Sequence, residues 1–161
     1  MIREDNDKTY LSDHFTLQEL TATNAKDKDG KRLPNVPPYN ALKNLQRLAR
    51  DYLEKLRKDL GDVPVIINSA YRSPAVNQAV GGSPTSLHQQ GLAADINCGK
   101  SLLKAVDIIH FIDKRYLKDS NFPYHELFLC YKPKTQTYWV HLSFKETAYQ
   151  NALNCKLLLY K

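Results

Sequence analysis

Ser86-Leu87-His88-Gln89-Gln90-Gly91-Leu92-Ala93-Ala94-Asp95 sets an imidazole and a carboxylate seven positions apart across a glycine. Glycine enters left-handed backbone without a steric cost, so Gly91 permits a tight path between the two. The apolar residues behind it predict a strand over 93–97 that carries Asp95 and commits its carboxylate to one face of a sheet. A second histidine, His141, stands in the apolar run Tyr138-Trp139-Val140-His141-Leu142. Alternation puts Trp139, His141 and Ser143 on one face of that strand and Tyr138, Val140 and Leu142 on the other. An imidazole inside so apolar a strand needs a polar partner. Taken singly, His141 fits a satisfied core histidine and His88 an ordinary loop histidine.

Outward from this stretch, the chain reads as helices around short strands. Thr16-Leu17-Gln18-Glu19, with Phe15 before it, has the form of a capping box and predicts a short helix. Residues 21–39 mix Asp27, Asp29, Gly30, Pro34, Pro37 and Pro38, which sustain neither a helix nor a central strand. Leu42, Leu45, Ala49, Tyr52, Leu53, Leu56 and Leu60 recur at helical spacing and predict an amphipathic helix of about five turns, ended by Gly61. Pro64 to Asn68 predicts a buried strand. A brief helix follows Tyr71-Arg72-Ser73-Pro74 and closes at Gly81-Gly82. Leu102, Leu103, Val106, Ile109 and Ile112 mark a second long helix. Residues 126–131 and 137–144 predict a hairpin turning at Lys132-Pro133-Lys134. The sum is an α+β fold: one domain with a small antiparallel sheet and packed helices.

The chain has 161 residues and a formal net charge of +6, which suits a polyanionic partner such as an acidic cell-wall polymer, or simply a soluble basic surface. Charge alone would also fit nucleic acid, but no recognition helix or aromatic RNA-binding motif is present, so no nucleic-acid partner is expected. Three cysteines without C-x-x-C spacing indicate neither a disulfide framework nor a thiolate zinc site. The polar start Met1-Ile2-Arg3-Glu4-Asp5 argues against a cleaved secretion signal, and no run approaches the roughly 20 apolar residues of a membrane span. These features predict a monomer made in the cytoplasm that reaches the cell wall only if released.

Two imidazoles and one carboxylate are the donors that leave a tetrahedral zinc ion with an open position, the arrangement of a catalytic site. On these residues the chain resembles the zinc D-Ala-D-Ala carboxypeptidase and endopeptidase family, whose fold is shared with VanX-type dipeptidases and the Hedgehog signalling domain. The resemblance rests on Phe15-Thr16-Leu17-Gln18-Glu19-Leu20, on Ser69-Ala70-Tyr71-Arg72-Ser73-Pro74-Ala75-Val76-Asn77 with Gly81-Gly82, on the Ser-x-His-x-x-Gly-x-Ala-x-Asp signature, and on Trp139-Val140-His141-Leu142-Ser143.

Position by position, the resemblance implies that His88, Asp95 and His141 bind Zn2+ and that Arg72 binds substrate and assists catalysis. A guanidinium there offers a two-pronged donor to a peptide carboxylate or carbonyl. Ser86 either bonds within the substrate site or stabilises its turn. The general base is less direct. Some branches of the family carry a glutamate or histidine where this chain has Tyr138, and others an acid where it has Cys130. Glu126 shares a face with Phe128 and Cys130 on the preceding strand and is the leading base, with His125 second. The implied function is zinc-dependent hydrolysis of peptidoglycan stem peptides, as a carboxypeptidase or a cross-bridge endopeptidase. Small size and the missing export signal fit a phage lysis enzyme. The alternative is a zinc-containing wall-binding module of weak or no activity.

Overall fold

A computed structural model of the protein describes residues 2–5, 7–118, 124–144 and 155–159. Two compact units make up the chain: Met1–Glu54 with Ser69–Ala94, and Lys55–Asn68 with Asp95–Lys161.

In the first unit, β1 (Arg3–Asp5) and β2 (Lys8–Tyr10) form an antiparallel pair. The Thr16 side chain accepts the Glu19 N–H and so caps α1 (Leu17–Leu20), as the capping pattern predicts. Phe15 and Leu20 are buried beside this short helix. The turn-forming stretch that follows is irregular up to Pro38, apart from one bridge between Lys26 and Arg32.

The expected five-turn helix is α2 (Tyr39–Arg47), a π-helical segment Leu48–Leu53, and α3 (Glu54–Asp59). A π segment is wider than an α-helix and shifts the side-chain phase. Leu48, Ala49, Tyr52 and Leu53 are all buried within it. Ser73 caps α4 (Pro74–Ala79) by accepting the Val76 N–H, and Pro74 supplies a preset first residue that needs no hydrogen bond.

In the second unit, Gly61 adopts φ 84° and lets the chain leave α3. A five-stranded sheet follows in the order β3-β4-β6-β5-β7, comprising β3 (Ile67–Ser69), β4 (Ala93–Gly99), β5 (Glu126–Lys132), β6 (Thr137–Ser143) and β7 (Cys155–Leu159). The strand expected from Pro64 begins only at Ile67. Pro64 has no N–H to give a ladder. Val65 and Ile67 are buried while Ile66 is exposed, so alternation is already established. The predicted hairpin forms, with Phe128 opposite His141 and Glu126 opposite Ser143. β7, which no sequence signal announced, adds to β5 in parallel.

Helix α5 (Leu102–Lys118) lies where expected, but its buried face is different. Ala105, Ile108 and Ile112 are buried, whereas Leu102 and Val106 are exposed and Leu103 is 77% exposed. At 100° per residue the buried stripe sits roughly a quarter of a turn from the apolar one. Small Ala105 allows close approach, which apolar spacing alone does not reveal. Among the described residues no helix is long and apolar enough to cross a membrane.

Candidate metal centre

His88 belongs to the first unit, in the 3-10 turn Leu87–Gln90, and is 2% exposed. Its Nδ1 lies 2.6 Å from the Ala70 carbonyl oxygen. An N–H there donates to the carbonyl and leaves Nε2 with a lone pair, the state of an imidazole ready to ligate a cation. Arg72 is held against the same histidine. Its backbone N–H donates to the His88 carbonyl at 3.1 Å. Its Nε donates to Ser69 Oγ at 2.8 Å, and Nη2 lies 3.3 Å from His88 Nε2. Ser86 stands at the start of the turn without a side-chain cap bond. Its backbone N–H, donating to Ser83 O, braces the loop instead.

Gly91 leaves the turn at φ 70°, where a Cβ would stand 2.4 Å from the Ala41 carbonyl oxygen of α2. Gly91→Ala therefore combines left-handed strain with a backbone clash, and should destabilise the fold by about 2–4 kcal/mol in urea titration. A loss below about 0.5 kcal/mol would mean that the turn adjusts freely.

The second unit carries Asp95 on β4 and His141 on β6. Asp95 Oδ1 lies 2.9 Å from His141 Nδ1, so the strand histidine has the polar partner its surroundings demand. On the neighbouring strand Glu126 faces the same way. Its Oε2 is 3.3 Å from His141 Nε2 and accepts the Ser143 hydroxyl at 3.0 Å. Phe128 stacks on the His141 ring, with centroids 5.5 Å apart and an interplanar angle of 20°. His125 donates its backbone N–H to Ser143 O, and its charge helps to lower the Glu126 carboxyl. Tyr138 stacks on Tyr131, and Cys130 is buried opposite Trp139.

Charge in this cluster is tightly linked. The His141 hydrogen bond, against the opposing effect of burial and with further help from Ser143, brings the Glu126 carboxyl down to about 2. Burial lowers the basicity of His141, yet its bonds to Asp95 and Glu126 more than offset this and lift it to about 9.

The signs follow from linkage. His141's folded value lies above the ordinary 6.5, so its contribution to stability is complete below pH 6.5 and is lost as pH rises through about 9. Glu126's lies below the ordinary 4.5, so its contribution is present above pH 4.5 and is lost as pH falls through about 2. Thermal melts of metal-free protein should therefore show the largest deficit of Glu126→Gln against wild type near pH 5.5, shrinking by pH 9.5. An equal deficit at both values would break the linkage.

Sequence reasoning did not single out the Ala70 carbonyl, Ser69 or Ser143 as parts of these networks. Alternation signals Ser143, which shares its strand face with His141. Ser69 is marked only as the first residue of the motif around Arg72, and nothing in the pattern marks a backbone oxygen.

A sequence model of the peptidase M15 family matches residues 13–130, most of the chain and both halves of the histidine-to-aspartate signature. The chain belongs to the peptidase M15 family. His141 of this M15 member lies beyond the matched stretch. The chain is also 33% identical, over 96 residues, to the zinc D-Ala-D-Ala carboxypeptidase of Streptomyces albus G. That match covers 60% of this chain and 35% of the Streptomyces enzyme, so the M15 chain spans about a third of this relative's length.

Proposed function

We propose that this M15 family member is a zinc peptidase that hydrolyses peptidoglycan stem peptides, with His88, Asp95 and His141 as the zinc ligands and the whole chain as one catalytic domain. One observation carries the reading: Asp95, which closes the His88-to-Asp95 signature inside the family match, lies with Oδ1 2.9 Å from Nδ1 of the distal histidine His141. Two imidazole nitrogens and a carboxylate oxygen match the donors of a catalytic zinc site that keeps one position open. The named activity of the Streptomyces relative supplies the substrate class.

Zinc, when bound, polarises a scissile carbonyl and brings the pKa of its water to about 7. The chain's own residues supply the rest. Arg72, anchored at Nε by Ser69, would present its guanidinium to a substrate carboxylate or carbonyl. Ser86 stands beside the turn as a weaker candidate for contacting the peptide. Glu126 would take the water proton at Oε2 and return it to the leaving amine, with Ser143 fixing that oxygen. His125 remains the second candidate base. The contact between Glu126 and His141 Nε2 favours another role for the same carboxylate: a ligating imidazole commonly gives its remaining N–H to an acid that fixes the ring.

Protons compete with the metal for His141. With its folded value at about 9, apparent zinc affinity should rise about tenfold per pH unit between pH 7 and 9. Chelator competition across that range would show the slope, and a flat profile would remove His141 from the ligand set.

The reading is tested by digesting purified peptidoglycan with the zinc-loaded chain and weighing the fragments. Release of single alanines marks a carboxypeptidase, and internal scission marks an endopeptidase. Uncut wall and uncut D-Ala-D-Ala peptides, together with a zinc content that His88→Ala leaves unchanged, would overturn it.

A further inference from the structure

Asn35 lies in the irregular stretch between Pro34 and Pro37, with no helix or strand of its own to pair with. All of its side-chain amide is nevertheless committed. Nδ2 donates to the Thr21 carbonyl at 2.8 Å and to the Tyr71 carbonyl at 2.9 Å. Oδ1 accepts the Ser73 backbone N–H at 2.7 Å. The Tyr71 carbonyl and the Ser73 N–H flank Arg72, so one amide binds the backbone on both sides of that residue, as a neighbouring strand would. Arg72's own N–H is taken by the His88 carbonyl, and the Ser73 hydroxyl adds a bond to Pro34 O at 2.9 Å. The Arg72 backbone is thereby pinned by a loop on one side and by the histidine turn on the other.

We propose that Asn35 is a positioning residue for Arg72, setting where the guanidinium meets the substrate; this rests on the reading of Arg72 as a substrate-binding residue. A long side chain multiplies small backbone shifts, and misplacing a binding group by about 1 Å can cost up to about a hundredfold in rate. No other side-chain type makes this clamp in the same space. Aspartate keeps the acceptor for Ser73 but turns an oxygen toward two carbonyls, replacing two donations with repulsion.

The test is a double-mutant cycle on the zinc-loaded chain: wild type, Asn35→Ala, Arg72→Ala and the double variant, with kcat and KM measured on a peptide ending in D-Ala-D-Ala. Binding of the same peptide to zinc-depleted protein gives a readout independent of turnover. Asn35→Ala should raise KM and weaken peptide binding about tenfold in the wild-type background and less than about twofold in the Arg72→Ala background. Asn35→Asp should be at least as weak as Asn35→Ala. Zinc content and the far-ultraviolet circular dichroism spectrum should match wild type in all four proteins. If Arg72→Ala changes neither KM nor binding, the reading of Arg72 itself fails. If Arg72→Ala weakens binding but Asn35→Ala costs the same factor in both backgrounds, Asn35 acts elsewhere and the positioning proposal alone is overturned. An Asn35→Ala protein that does not fold leaves the decision to Asn35→Asp, in which wild-type KM and binding would equally overturn the proposal.

Discussion

His88→Ala should lose stoichiometric zinc and at least about 10³-fold of peptidase activity, the largest effect expected of any single change in this chain. Without the metal, the attacking water loses the shift that brings its pKa to about 7, and a general base alone would face a far less acidic water. The substitution also leaves the buried Ala70 carbonyl without the Nδ1 partner it has at 2.6 Å, which should cost about 1–3 kcal/mol of stability. Activity alone would therefore confuse lost metal with lost fold. Metal analysis after dialysis, beside melts in excess chelator, separates them: in chelator the two proteins should differ only by the modest stability term. Asp95→Asn is the companion measurement, because it keeps shape and removes charge. If His88→Ala binds zinc as wild type does, the three-ligand reading fails even if activity falls.

The second large effect is expected at Glu126. As the general base, its loss in Glu126→Gln should lower kcat by about 10²–10⁴-fold while zinc stays stoichiometric. As the residue that fixes the His141 ring, its loss should instead weaken zinc about 10–100-fold, and activity should return when zinc is raised. The geometry motivates both outcomes, since Oε2 is shared between Ser143 Oγ at 3.0 Å and His141 Nε2 at 3.3 Å. Titrating activity of the variant against zinc decides between them. Equal inactivity of wild type and variant, with tight retention on peptidoglycan, would favour a wall-binding module over an enzyme.

Much of the local architecture was legible because it depends on near neighbours. Thr16 three residues before Glu19, Ser73 before Pro74, and Gly61 after a helical repeat each satisfy or release backbone groups within one turn. The hairpin was visible because alternation and turn residues act over a few positions. The buried face of α5 was not legible, because apolar spacing records where apolar residues are, whereas burial depends on which stripe packs closely. β7 escaped because parallel pairing joins segments distant in sequence and leaves no turn between them.

By itself, the sequence determined which donors this chain owns and how Gly91 bends the path from His88 to Asp95: a left-handed turn and a strand are local consequences of residue type. Only the tertiary structure decided their company. It set His141 against Asp95, 46 positions away, and gave His141's other nitrogen to Glu126. It also bound the flanks of Arg72 to Asn35 in a loop without regular structure. Such contacts depend on strand register and loop docking, which many residues fix together and no short motif encodes.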